Sequence, residues 1–476
     1  MENSKVSSTE VVISKNSNPS KAITNGLEKL GGISGIVQKG DRVFVKINLR
    51  APYGFPANVN FESLRTIIDM CKKAEAKNII VGSFPDNGIK TDSISNIIGF
   101  QSYVENLGAE FIFLDDQNQS PLKSVELKEK IIEIPKIILE TDKLIIFNQV
   151  SVEPLFKCTI SLLNSYSLVP NKYQIIQKII RPGKDYLFLD QYNQDLISNI
   201  LDIYSIKKPN LIINDISHFL EGAGPYVYKD SNLLHTGLVV VGRDTVAVDL
   251  ITLKLFNIDL LDSDILLEAR NRNLGITDIS KINLIGENLD DSKLEVKFSV
   301  YRLDDINIKN TTIKAGRICS GCFKEAYHLL NNIKTHMTKD LKYIKKQYFV
   351  TGENPPEPES ESLDHIIVFG DCAINSSKNR EFRTIRTSSY KNYIETIKGK
   401  IGKDQKDQKD QKSQKVPKVK EKTNKNVIEI PGCPPNLFES LNSILKYYGK
   451  SQAPNLSFYN DLLKTYYQQA SSKKPK

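Results

Sequence analysis

Four of the six cysteines in this chain stand in three short pieces: Cys319-Ser320-Gly321-Cys322, Gly370-Asp371-Cys372-Ala373 and Pro431-Gly432-Cys433-Pro434-Pro435. Each piece contains a glycine. Two of them directly follow an apolar, strand-like run, His365 to Phe369 and Val427 to Ile430. A free cysteine in a core is normally flanked by apolar residues, whereas these are flanked by turn formers. Any fold that makes sense of them must gather three loops that lie far apart in the chain. Four thiolates brought together describe a tetrahedral sulfur site, for an iron–sulfur cluster or for zinc. Structural zinc usually takes two close cysteine pairs or includes histidine. Here one close pair is followed by two isolated cysteines, and no histidine lies within two residues of any of the four. The spacing favours a 4Fe–4S cluster, with zinc as the lesser occupant.

The rest of the chain alternates strand and helix patterns. Val11 to Ser14 reads as a strand, Lys21 to Leu30 as a helix stopped by Gly31-Gly32, and Arg42 to Ile47 as a second strand. Asn60 is placed to cap a helix whose apolar face runs Leu64, Ile67, Ile68, Cys71, which puts Cys71 in the core. Asn78 to Val81 is a strand, Ser93 to Leu107 a helix, and Glu110 to Leu114 a strand. After a less regular middle, strands are expected at 143–147, 211–215 and 237–241, with helices at 196–204 and 246–256. This alternation predicts a mostly parallel sheet with helices on both faces over residues 9–305. A smaller α/β domain over 311–397 and 426–455 carries the cysteines. Residues 1–8 read as a disordered tail and 456–476 as a C-terminal extension.

In open α/β sheets, ligands sit beyond the carboxyl ends of the strands. The loops expected there hold Lys46 and Asn48; Gly82 to Gly88; Asp215, His218 and Glu221-Gly222-Ala223-Gly224-Pro225; and Gly242-Arg243-Asp244, which opens a helix carrying Asp249. Glycines with ionisable neighbours suit an anionic or metal-bound ligand. On this reading Lys46, Asn48, Gly222, Gly224 and Gly242 are ligand-binding candidates. Asp215, Glu221, Asp244 and Asp249 are candidate acid–base or hard-metal groups. Ordinary turn chemistry is the competing reading, and Asp244 in particular suits a helix cap.

The net charge of +9 is concentrated. Between Lys398 and Lys425, eleven lysines against four acidic residues carry +7 of it, in a stretch that repeats Lys-Asp-Gln. That segment, 398–425, reads as a disordered insertion with no residues for a core. The remaining +2 gives no basic face for nucleic acid. No apolar run is long enough to span a membrane and no signal-peptide pattern opens the chain, so a cytoplasmic protein is expected.

Two resemblances follow from these motifs. Lys46-Ile47-Asn48, Cys158 to Asn164 with Leu168-Val169-Pro170, Glu221 to Pro225, and Gly242 to Asp249 resemble the "domain of unknown function 362" family over roughly residues 10–285. The chain departs from that pattern in the middle. Val152-Glu153-Pro154-Leu155 replaces a Lys-Thr-His run, and Leu163 stands where the family has lysine. The three cysteine pieces resemble the proximal 4Fe–4S site of the nickel–iron hydrogenase small subunit, over roughly residues 315–447. That likeness implies a flavodoxin-like domain with Cys319, Cys322, Cys372 and Cys433 as ligands. Nothing in the chain resembles the paired cysteine motifs that hold nickel, so a complete hydrogenase is excluded.

The expected protein is a redox enzyme or electron-transfer component acting on a small anionic ligand, with a ferredoxin-like electron donor as the implied partner. The alternative is a non-enzymatic ligand-binding or assembly protein whose cluster or zinc is structural. An ATP-using ligase has no phosphate-binding Gly-x4-Gly-Lys-Ser/Thr loop to support it. The substrate, the redox partner and the oligomeric state are not legible in the sequence.

Overall fold

The computed structural model describes residues 8–50, 52–85, 90–127, 130–170, 188–338, 340–342, 346–357, 365–383, 427–449 and 453–461. The expected lysine-rich insertion at 398–425, the loop tip at 86–88, nearly all of the N-terminal tail and the end of the C-terminal extension lie outside these residues.

The first half opens with β1 (Thr9–Lys15), α1 (Pro19–Lys29) and β2 (Arg42–Lys46). Next come α2 (Phe61–Lys73) and β3 (Asn78–Gly82). Asn60 caps α2 as expected, its side chain accepting from the N–H groups of Glu62 and Ser63, and Cys71 is buried. The single helix expected over 93–107 is two, α3 (Thr91–Ile98) and α4 (Phe100–Asn106). Gly99 separates them in a left-handed conformation, φ 68°, which ends α3 and lets the chain restart. A short β4 (Glu110–Phe111) follows, then the hairpin β5 (Leu122–Leu127) and β6 (Lys130–Pro135), and α5 (Lys136–Glu140).

β7 (Lys143–Glu153) and β9 (Leu211–Gly222) are about twice as long as their apolar signals suggested. Between them lie β8 (Lys157–Cys158), α6 (Ser161–Ser165) and α7 (Phe188–Ile206). β10 (Ser231–His235), β11 (Leu238–Gly242), α8 (Thr245–Leu255), α9 (Asp264–Asn271) and β12 (Ile282–Gly286) complete this part.

These strands form one mixed, mostly parallel sheet in the order β12-β1-β11-β9-β7-β2-β3-β4, with β10 and β8 paired to β9 and β7. β11 runs antiparallel to both its neighbours. A parallel return would need a crossover of a dozen or more residues, but the link from β9 is spent on the β10 hairpin, leaving Thr236 and Gly237 before β11. Successive residues face opposite sides. Val11, Ile13 and Phe44 pack with the residues of α7 and α8, while Val12, Val43 and Val45 pack with α1 and α2. Both faces of the sheet are therefore covered by helices.

The second sheet is all parallel. β13 (Thr311–Ala315), β14 (Gln347–Thr351), β15 (His365–Phe369) and β16 (Val427–Ile430) pair in that order. This order follows the chain and lacks the 2-1-3 reversal of a flavodoxin-like sheet. α10 (Ser320–His336) and α12 (Leu437–Tyr448) cover one face, and α11 (Asp371–Ser377) packs on the other. Leu456 and Tyr459 are buried in the core under α10 and α12, so its packing continues past residue 455 into a helical stretch at 454–461.

Candidate functional site between the two sheets

All four motif cysteines lie beyond the carboxyl ends of the parallel strands β13, β15 and β16. Cys319 is the residue before α10, and Cys322 lies in its first turn. Cys372 is in the first turn of α11. Cys433 follows β16 and precedes a cis peptide bond to Pro434. Backbone bonds tie the last two loops together. Gly370 N–H donates to Ile430 O at 2.8 Å, Asp371 N–H to Gly432 O at 3.0 Å, and Gly432 N–H returns to Asp371 Oδ1 at 2.8 Å. Gly370, φ 89°, is the point of closest approach, since a Cβ there would lie 3.3 Å from Cys322 Sγ.

The sulfurs also act on each other. Cys319 is drawn down, first by the Cys322 thiol that hydrogen-bonds to it, then by the N–H groups of Cys322 and Gly321. Cys322 is pushed up by holding that proton and by burial, with the charges of Cys319, Cys433 and Cys372 adding to the rise. All four sulfurs therefore lie within electrostatic reach of one another. Cys71 and Cys158 differ: both are buried, and burial raises both thiols. Among the described residues no three His, Cys, Asp or Glu side chains are gathered around a single-ion position. Four cysteine sulfurs on converging loops form a donor set that fits either an iron–sulfur cluster or zinc.

A cleft of about 180 Å³ lies between this cysteine site and the larger sheet. Its cysteine-domain wall is Ser320, Gly321, Lys324, Glu325 and Pro434, residues between and close to the ligand candidates. The opposite wall includes Asn48, Arg50 and Glu153, with Phe84, Phe156 and Leu163 supplying apolar surface. Arg50 and Lys324 are half-buried, and among the described residues neither side chain has a hydrogen bond or ion pair. Glu153 ends β7, is only 6% exposed, and accepts the N–H groups of Leu155 and Phe156, both at 2.7 Å. Burial pushes its carboxyl up, opposed chiefly by the charge of Lys324, then by those two N–H groups and Arg50.

Residues 43–254 match the family described as domain of unknown function (DUF362). The match stops short of the cysteine domain. No curated protein matches the chain.

The matched region places the other candidates unevenly. Asn48 lines the cleft, its Oδ1 accepting the Gln149 N–H at 2.8 Å. Lys46 lies behind it, fully buried, donating to Asn164 Oδ1 and Ile47 O at 2.7 Å each. Asp249 is fully buried below α6, accepting the N–H groups of Ser161 and Leu162 and the Asn214 amide, and burial raises it to about 7. Asp215, raised by burial, accepts from Ser63 Oγ and the Ser217 N–H. Glu221 accepts from the Lys297 N–H and Asn232 Nδ2. Asp244 is a cap, accepting the N–H groups of Val246 and Ala247 and, from farther along the chain, Ile276.

None of these four carboxylates lines the cleft, and Gly222, Gly224 and Gly242 stay off its walls as well. A Cβ on Gly222 would meet Asp230 O at 2.3 Å, and one on Gly242 would meet Val248 Cγ2 at 2.6 Å, so both allow close packing. The Glu-Gly-x-Gly-Pro loop has another role. It docks on α10, with the Gly224 N–H on the Tyr327 hydroxyl at 3.1 Å and Tyr228 Oη 2.8 Å from His328 Nδ1, and it places Pro225 at the cleft. Arg50, Glu153 and Lys324 were not among the sequence candidates. The one hint was the carboxylate of Glu153 in Val152-Glu153-Pro154-Leu155, the stretch where the chain departs from the pattern it resembles.

Proposed function

We propose that this chain is a 4Fe–4S protein, a redox enzyme or electron-transfer component, that takes a small anionic ligand in the cleft between its two sheets. The observation that carries the reading is the cleft itself, one wall of which is the Cys319–Cys322 loop and Pro434 while the other bears Asn48 and Arg50. Cys319, Cys322, Cys372 and Cys433 are the residues that would hold the cluster, as in the nickel–iron hydrogenase small subunit they resemble. When bound, such a cluster supplies one-electron transfer, fed by a ferredoxin-like donor. The chain's own groups do the rest. Arg50 and Lys324 attract the ligand's negative charge, Asn48 and the serines at the rim offer hydrogen bonds, and Phe84, Phe156 and Leu163 exclude water and strengthen those contacts.

The test is anaerobic purification followed by reduction and EPR, alone and with candidate anions. The reading expects a reducible cluster whose signal changes shape when an anion occupies the cleft, and a loss of that response in Arg50→Gln. A cluster blind to every anion, or one that cannot be reduced, supports instead a structural centre in a non-enzymatic binding or assembly protein.

A further inference from the structure

Two carboxylates, Glu153 and Glu325, line the cleft with Arg50 and Lys324 and oppose an incoming anion, and Glu153 is the buried one of the two. We propose that the cleft binds its anion together with one proton, which Glu153 takes up as the anion settles between Arg50 and Lys324. This rests on the reading of the cleft as the ligand site, but not on the identity of the metal centre.

The argument is geometric first. Glu153 is buried at the wall of a cavity flanked by two cations without hydrogen bonds or ion pairs among the described residues, each from a different domain. One carboxylate oxygen, Oε2, accepts both neighbouring N–H groups. The charged groups around it are few. α10 presents Lys324, Glu325 and the Tyr327 phenol, the loop after β2 presents Arg50, and β8, paired to the same strand, presents Lys157 and the Cys158 thiol. In the empty cleft, Lys324 and Arg50 favour the charged carboxylate against the pull of burial. An anion entering between them neutralises that support and adds a like charge, so the carboxylate gains a proton from water. Once neutral, Glu153 no longer repels the ligand. Binding and protonation therefore reinforce each other, as linkage requires.

The experiment uses the full chain purified anaerobically and inorganic sulfate as the probe, because sulfate has no titratable proton near neutral pH. Calorimetric titrations near pH 7, in two buffers of different ionisation enthalpy, read the number of protons taken up directly on the unaltered protein. The expected results are sulfate binding with uptake approaching one proton, and affinity that falls by up to about tenfold per pH unit once Glu153 is ionised. In Glu153→Gln, which keeps the acceptor for Leu155 and Phe156, binding is tighter at high pH and proton uptake is abolished. In Arg50→Gln and Lys324→Gln, affinity drops by roughly tenfold or more. Sulfate that binds without proton uptake, or with uptake unchanged in Glu153→Gln, overturns the proposal and leaves the cleft as an anion site. Sulfate that fails to bind, or binds equally well to both cation variants, overturns the cleft reading and the proposal together.

Discussion

The Gly224 N–H donates to the Tyr327 hydroxyl at 3.1 Å, joining the loop after β9 to the helix that carries Cys322. Tyr327 is almost fully buried, and its hydroxyl also meets Ser299 Oγ at 3.1 Å. Gly224 has no room to adapt, because a Cβ there would lie 2.6 Å from Val152 Cγ1. Its neighbour Pro225 lines the cleft, so the same loop that fastens the two sheets together also shapes the site between them.

Tyr327→Phe leaves the Gly224 N–H buried without its acceptor. The expected cost is about 1–3 kcal/mol. A lower denaturant midpoint with an unchanged slope is the sign of a stability loss without a change in compactness.

Gly370→Ala crowds Cys322 Sγ at 3.3 Å and places a side chain at φ 89°. Outer contacts of this kind typically govern metal affinity by tenfold or more, so about tenfold faster loss of metal to a chelator is expected. Gly449 is the control. It has nearly the same φ, 88°, with nothing within 4 Å of an added Cβ. Gly449→Ala therefore carries the backbone strain and leaves metal retention unchanged.

Asp249 gives a pH dependence of defined sign. Burial raises its carboxyl from 3.8 to about 7, against the N–H groups that favour the charge. Between those values the folded chain holds a proton that the unfolded chain has released. The stability contributed by this group is therefore complete below about pH 4 and is lost as pH rises toward about 7. Asp249→Asn, compared with the parent across that window in urea unfolding, flattens the dependence. Equal slopes in the two proteins remove Asp249 as its source.

Lys324 lies two residues beyond Cys322 in α10 and lines the cleft. Removing its positive charge makes an added electron less favourable. Lys324→Gln should lower the reduction midpoint by on the order of tens of millivolts. A potentiometric titration reads the shift, and a change in the opposite direction would count against the placement of this charge.

The sequence exposes most of the sheet and hides most of the cleft. The Asn60 cap, the core position of Cys71 and the strands leading into Cys372 and Cys433 all follow from local patterns. β14 escaped because Gln347 and Thr351 bound its apolar run and leave only three apolar residues, although all five of its residues are buried. The carboxylates that look catalytic by type, Asp215, Glu221, Asp244 and Asp249, are occupied by backbone and side-chain donors. That saturation is visible only once distant chain segments meet. Arg50, Glu153 and Lys324 face one cavity because the loop around Gly224 docks on α10, and no local spacing encodes that meeting.

The most direct measurement is metal and sulfide content together with the EPR spectrum of the anaerobically purified, reduced chain, beside its Cys372→Ser variant. The account predicts about four irons with matching acid-labile sulfide, a reduced-cluster signal, and loss of that signal in the variant. One zinc per chain with no iron, or a signal indifferent to Cys372, would contradict it.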